Sequence, residues 1–289
     1  MKSRSISAII AVALKIMNII DSVGEKSDML KVLAVISPSK KLDFEQESPV
    51  SESTQYRFPK QAQSLIDQLR TKSATDIKTL MKLSDNLAQL NVQRYQAWSP
   101  KMTETNSKQA VFAFIGDVYT GLSASTLERP HIEKAQETVR ILSGLYGLLR
   151  PLDRIQPYRL EMGTALKTEQ ASNLYGFWGE QITQLLNKDL KHAQADILLN
   201  LASQEYFKAV QVKDVSARVI TPLFKDEKNG EYKIISFFAK KARGLMVRYI
   251  LDHDLKDIND LKAFDYAGYQ FCETRSSEND WVFIRDEQK

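Results

Sequence analysis

The chain has 289 residues, 43% hydrophobic and 26% charged, which is ordinary for a globular protein with a large core in one or two domains. A net charge of +4 is too small to imply nucleic acid by itself, so any such binding must come from local clustering. The single cysteine, Cys272, excludes an internal disulfide framework and suits a reducing cytoplasm.

Met1-Lys2-Ser3-Arg4 is basic and Ile6 to Leu14 is apolar, the outline of a secretory signal. Lys15 interrupts the run, Ala11-Val12-Ala13 comes too early for a cleavage site, and the run is too short to span a bilayer. Polar residues fill Asp21 to Asp28, and Met29 to Ile36 has the composition of a first core strand. A domain is therefore expected from near Met29. Residues 1–28 are read as an extension, from a misplaced start codon or a short signal-like segment.

Pro38 ends the first strand, and a helix is predicted from Pro59 to Arg70. Thr75-Asp76 can cap a long helix in which Leu80, Leu83, Leu87 and Leu90 recur at helical spacing. Ala110 to Ile115 is apolar and stops at Gly116-Asp117, a strand-to-turn signal. Val139 to Leu149 is apolar but holds Gly144 and Gly147, and stops at Arg150-Pro151. Leu174 to Leu186 is expected to be helical, and Ile197 to Leu201 and Val219 to Phe224 to be strands. Asp226 to Gly230 is a hairpin turn with Asn229-Gly230 at its tip.

Lys233 to Phe238 reads as a strand running into an amphipathic helix, with Ala242, Leu245, Met246, Tyr249 and Ile250 on one face. Lys240, Lys241 and Arg243 then crowd the first turn, where the helix dipole disfavours cations. Basic side chains, open N–H donors and a positive dipole make an anion site, most naturally for phosphate. The alternative is a solvated basic turn with snorkelling lysines. Tyr269 to Cys272 and Trp281 to Ile284 form a second hairpin. With no Pro-, Gly- or Ser-rich linker, the expected fold is one α+β domain, a mixed central sheet surrounded by helices.

Several catalytic motifs fail on context. Ser37-Pro38-Ser39-Lys40 matches S-x-x-K and Ser84-Asp85-Asn86 matches S-D-N, but K-T-G is missing and Ser37 ends a strand instead of opening a helix. Gly116 to Gly121 has P-loop glycine spacing, but Leu122-Ser123 replaces Lys-Ser. Gly144-Leu145-Tyr146-Gly147 lacks the dinucleotide-binding pattern. His131, His192 and His253 lie far apart, and Pro130 sets His131 near a helix start as a solvated histidine; no metal or cofactor is expected. Cys272 alternates with Tyr269 and Phe271 and reads as a partly buried structural thiol.

Two segments put polar groups where a core would not want them. One runs from Arg150 to Gly163. The other, Asn200-Leu201-Ala202-Ser203-Gln204-Glu205-Tyr206-Phe207-Lys208, follows a hydrophobic strand, at the sheet edge where α/β folds bind ligands. A polar cleft is expected there.

At these residues the chain resembles the YaaA family of bacterial peroxide-stress proteins. The likeness rests on Ile36-Ser37-Pro38-Ser39-Lys40-Lys41-Leu42-Asp43, Phe114 to Leu122, Leu142 to Asp153, Gln156 to Gly163, Asn200 to Ser203 and Lys240 to Gly244. It covers about residues 29–287, leaving residues 1–28 without a counterpart.

The resemblance implies a cytoplasmic protein that protects against hydrogen peroxide and limits free iron, with a basic cleft that binds DNA and a helix-hairpin-helix-like element. Gly144 and Gly147 are the candidates for its hairpin, where backbone N–H groups could approach a phosphate. Lys40, Lys41, Arg150, Arg154, Arg159, Lys240, Lys241, Arg243 and Arg248 would line the cleft and contact phosphates without reading bases. No membrane is expected as a partner, and the oligomeric state is open. The competing class is an enzyme acting on a nucleotide or another small phosphate-bearing molecule. Asp117, Glu161 and Glu205 would be its acid–base groups, with Tyr119 and Tyr158 positioning substrate. An open basic groove would favour DNA; a closed pocket walled by those carboxylates would favour the enzyme.

Overall fold

Strand β1, Val32–Ile36, is five apolar residues, all buried, as expected of a strand covered on both faces. A computed structural model describes residues 30–287, so the extension expected over residues 1–28 lies outside the described residues. After β1 come a two-residue strand, β2 (Lys41–Leu42), and helix α1 (Pro59–Arg70). Helix α1 opens on the proline and buries Ala62, Leu65, Ile66 and Leu69, spaced 3, 1 and 3.

The long helix expected from Thr75 is two helices, α2 (Ala74–Met81) and α3 (Asp85–Ala97). Ser73 and Asp76 close a capping box, Lys82 turns left-handed at φ 52°, and Ser84 caps the second helix. The restart rotates the buried face to Ala88, Asn91 and Tyr95 and leaves Leu87 and Leu90 exposed.

The expected strand at 110–115 is also divided. Strand β3 (Lys108–Gln109) leads into one helical turn, α4 (Ala110–Ala113), and then β4 (Phe114–Ile115). The N–H groups of Ala110 and Val111 bond to the Asp153 and Pro151 carbonyls, which holds this turn out of the main sheet, and β4 pairs only with β2. Helices α5 (Asp117–Leu122) and α6 (Arg129–Thr138) follow, then strands β5 (Val139–Ser143), β6 (Gly147–Leu149) and β7 (Arg154–Ile155). The helix expected over 174–186 breaks at Gly179 into α7 (Leu174–Trp178) and α8 (Gln181–Ala193). Strand β8 (Ile197–Leu201), helix α9 (Gln204–Phe207), strands β9 (Arg218–Lys228) and β10 (Glu231–Lys233), helix α10 (Ser236–Asp252) and strands β11 (Gln270–Phe271) and β12 (Asp280–Arg285) complete the order.

Eight strands make one mixed sheet in the order β11-β12-β9-β8-β1-β5-β6, with β10 paired to β9. Strands β12, β9, β8, β1 and β5 run parallel, and the three hairpins are antiparallel. With helices around the sheet, this is the α+β domain the sequence implied. The chain passes from β1 to β5 on one side, then returns to β8 on the other. The carboxyl ends of β1 and β8 are thus a topological switch point.

Gly144 and Gly147 do not form a helix-hairpin-helix. They turn the tight β5–β6 hairpin, which is buried throughout. The Trp178 indole donates to the Gly144 carbonyl at 3.0 Å, and a Cβ on Gly144 would lie 2.2 Å from the Leu160 oxygen. No phosphate can reach these amides. Helices joined by a short turn occur instead at α2–α3 and at α7–α8.

Helix α10 starts at Ser236, and of the strand predicted over 233–238 only Lys233, the last residue of β10, pairs with β9. Lys240, Lys241 and Arg243 therefore sit in the second turn, where the dipole's effect has largely faded. The apolar face is as expected: Ala242, Met246, Tyr249 and Ile250 are buried and Leu245 is half-buried. One contact was invisible in the sequence. Helices α5 and α10 cross at Gly121 and Gly244, where a Cβ would lie 2.1 Å from the Lys241 oxygen and 1.8 Å from the Val118 oxygen, respectively.

Candidate functional site

A cavity of about 300 Å³ opens at the switch point, against Ser37, Ser203, Asp117, Tyr119, Lys240 and Arg243 among others. Each wall comes from a different element. Ser37 to Lys41 leave β1, Ser203 to Tyr206 leave β8, Gly116 to Tyr119 open α5, and α10 supplies Lys240 and Arg243.

Local bonds hold these walls together. The Ser203 N–H donates to Ser37 Oγ at 2.9 Å, and the Ser37 hydroxyl faces Ser203 Oγ at 3.3 Å. The Tyr119 hydroxyl donates to the Ser37 carbonyl at 3.1 Å. Gly116 has φ +135°, and a Cβ there would lie 2.8 Å from Ser39 Oγ, so this corner requires glycine. On the rim, the Gly163 N–H donates to Glu205 Oε1 at 3.0 Å. Burial holds the Tyr119 and Tyr206 hydroxyls well above their ordinary pKa, so both are neutral hydrogen-bonding groups.

The charges divide into paired and unpaired groups. Lys40 Nζ lies 3.0 Å from Glu161 Oε1, and Arg159 Nη2 donates to the same oxygen at 2.9 Å. Arg243 is half-buried, faces the cavity and makes no hydrogen bond or ion pair among the described residues. Burial pulls its pKa down, but from so high a value that it stays charged. Among the described residues, Lys41 and Lys240 have no carboxylate partner and are exposed at the rim, and half-buried Asp117 is unpaired.

Of the nine expected phosphate contacts, Lys40, Lys41, Lys240 and Arg243 meet at this cavity, and Arg159 joins through Glu161. Lys241 is exposed on α10 beside it. Arg150, Arg154 and Arg248 belong elsewhere, because other acceptors already hold their guanidinium groups. Arg150 grips buried Asp153 at 2.8 Å. Arg154 is buried and donates to the Ser107 carbonyl at 2.6 Å and to Ser107 Oγ at 2.9 Å. Arg248 pairs with Asp252 at 2.8 Å and donates to Thr126 Oγ1 at 2.7 Å.

Of the alternative acid–base set, Asp117, Tyr119 and Glu205 line the cavity. Two cations neutralise Glu161, and Tyr158 is buried away from the cavity with its hydroxyl 2.7 Å from Ser143 Oγ. Sequence reasoning did not select Ser39, Ser203, Tyr206 or Gly116. The position of Ser203 just after a buried strand was the available signal. No three His, Cys, Asp or Glu residues cluster to hold a metal ion among the described residues. No described helix is long and apolar enough to cross a membrane.

The sequence profile of the peroxide stress protein YaaA matches residues 32–275. A UPF0246 protein of Shewanella woodyi is 52% identical over 256 residues, covering 89% of this chain and all of the relative. One from Idiomarina loihiensis is 53% identical over 258 residues, with 89% and 100% covered. One from Neisseria meningitidis serogroup A is 55% identical over 254 residues, with 88% and 98% covered. The segments around Ser37, Gly116, Ser203 and Arg243 that build the cavity all fall inside the matched range, and the chain belongs to the YaaA family of peroxide stress proteins.

Proposed function

We propose that this peroxide stress protein acts by binding DNA phosphates at the switch-point cavity and its rim, through Lys40, Lys41, Arg159, Lys240, Lys241 and Arg243, and that limiting free iron in the cytoplasm depends on this contact. The observation that carries it is Arg243: a half-buried guanidinium with no acceptor, beside unpaired lysines. Buried charges in proteins are normally paired, and a phosphate supplies what this one lacks. Contacts to phosphate alone are independent of sequence and release counterions, so affinity falls by roughly 0.9 log unit per log unit of salt for each phosphate engaged.

The test is a fluorescence titration of labelled duplex with wild type and with Lys241→Glu/Arg243→Glu. Steep salt dependence and near-complete loss in the double variant are expected, with a parallel loss of peroxide protection in cells. Salt-independent or absent binding in the wild type would overturn the proposal. The small volume of the cavity and its unpaired Asp117 favour a second reading, an enzyme acting on a small phosphate-bearing substrate. Normal protection by a double variant that no longer binds DNA would favour that reading.

A further inference from the structure

Three features of the cavity go beyond contact with a phosphate backbone. Its volume, about 300 Å³, is at the lower end of small-ligand sites. An internal phosphodiester is flanked by sugar on both sides and suits the rim better than a cavity of this size. A terminal phosphate ends the chain and can enter it. The charges are also graded by depth: Arg243 is half-buried, whereas Lys40, Lys41 and Lys240 are exposed at the mouth. A phosphomonoester carries close to two negative charges near neutral pH, and a diester carries one. The deep unpaired guanidinium with Lys240 beside it suits the former.

The third feature is Phe237. It precedes Lys240 by three residues on α10, so the two are neighbours on the helix surface, with Arg243 about a third of a turn from Phe237. Arg243 and Lys240 line the cavity, and the Phe237 ring, edge-on against Phe238, is 56% exposed on the helix surface beside Lys240. An aromatic ring left in water next to a phosphate site matches a ligand with an aromatic base attached to its phosphate. The exposed carboxylate of Glu205 is also at the rim, with Oε1 on the Gly163 N–H. Its other oxygen is free to accept from a sugar hydroxyl or a base amino group.

Resting on the phosphate reading above, we propose that the cavity receives the terminal phosphomonoester of one nucleotide, with the phosphate on Arg243 and Lys240, the base against Phe237 and its donors toward Glu205. Two sources share this chemistry: a free mononucleotide and the phosphorylated end of a strand.

The test compares three probes by fluorescence anisotropy or competition: a labelled single-stranded oligonucleotide with a 5′- or 3′-phosphate, the same strand with hydroxyl ends, and free dTMP. The phosphorylated strand should bind roughly tenfold or more tightly than its hydroxyl-ended counterpart, as expected for charge-assisted hydrogen bonds to a charged group. Arg243→Gln should erase that difference, Lys240→Gln should reduce it, and Arg248→Gln, whose charge is already paired, should leave it unchanged. Competition by dTMP assigns the site to free nucleotides, and preference for the phosphorylated strand without such competition assigns it to strand ends; either result supports the proposal. Equal affinity for phosphorylated and hydroxyl-ended strands would overturn it while leaving backbone binding intact. Binding of none of the probes, duplex included, would overturn both.

Discussion

The Arg57–Arg140–Asp189 cluster and the cavity around Arg243 use the same kinds of charge to opposite ends. In the cluster, Arg57 reaches both Asp189 oxygens at 2.6 and 2.8 Å, and Arg140 Nε donates to Oδ2 at 2.6 Å. Arg140 also donates to the Gln136 and Val139 carbonyls. Burial pushes the Asp189 carboxyl upward, but the bonds and charges of Arg57 and Arg140 outweigh it and hold its pKa below the usual value. The cluster pairs both guanidinium groups with one carboxylate and ties the segment before α1 to β5 and α8. Around Arg243 positive charge is gathered, and Arg243, Lys41 and Lys240 have no acceptor among the described residues. A buried arginine marks a site only when its partners are missing.

The contrast can be broken at four points, in descending order of effect. Gly244→Val should cost more than about 4 kcal/mol, because its Cβ would lie 1.8 Å from the Val118 oxygen at a backbone crossing. Failure to obtain folded protein, or a collapsed melting temperature, is the expected result. A stable variant would mean that α5 and α10 can separate.

Asp189→Asn should cost about 3–5 kcal/mol by stranding two buried guanidinium groups. It also has a pH signature. Because the folded pKa of Asp189 is depressed, its contribution is complete above the unfolded value, about 3.9, and is lost as pH falls through the folded pKa. Denaturant titrations should therefore show the wild type losing stability below about pH 4 more steeply than the variant.

Arg243→Gln should do the reverse. Stability should stay within about 0.5 kcal/mol or rise, since an unpaired, partly desolvated charge is removed, while phosphate affinity falls roughly tenfold. Large destabilisation would place Arg243 with Arg140 as a structural residue. Lys41→Gln should be the mildest, with unchanged melting and a salt slope smaller by about 0.9 if it contacts one phosphate.

What the sequence disclosed follows from how local each feature is. Helix α1 and the Asn229-Gly230 hairpin are written in short-range patterns: a proline start with helical apolar spacing, and a turn with Asn229 at φ 56° and Gly230 at φ 77°. The leucine ridge at 80–90 misled because a left-handed Lys82 and the Ser84 cap reset the helix phase. At the site, Asp117, Glu205 and the basic turn of α10 were legible as polar residues at strand ends or in a charged cluster. Arg150, Arg154 and Arg248 could not be told from Arg243 in the same way. Whether an arginine is already held by Asp153, Ser107 or Asp252 depends on contacts made by the folded chain. The Gly121–Gly244 crossing was hidden for the same reason, since the two glycines are far apart in sequence.

That crossing also governs how the cavity can move. With backbone against backbone, α5 and α10 have no side-chain layer between them to act as a lubricant. Asp117 and Tyr119 on one helix, and Lys240 and Arg243 on the other, are therefore carried on a single rigid jaw. The opposing wall, Ser37 to Lys40, is a loop joined to that jaw by the Tyr119 hydroxyl on the Ser37 carbonyl and, at its far end, by the pairing of β2 with β4. Adjustment to a ligand falls to this loop and to the Lys40–Glu161 latch. In hydrogen exchange, ligand should slow the amides of 37–40 and leave those at the α5–α10 crossing as slow as they already were.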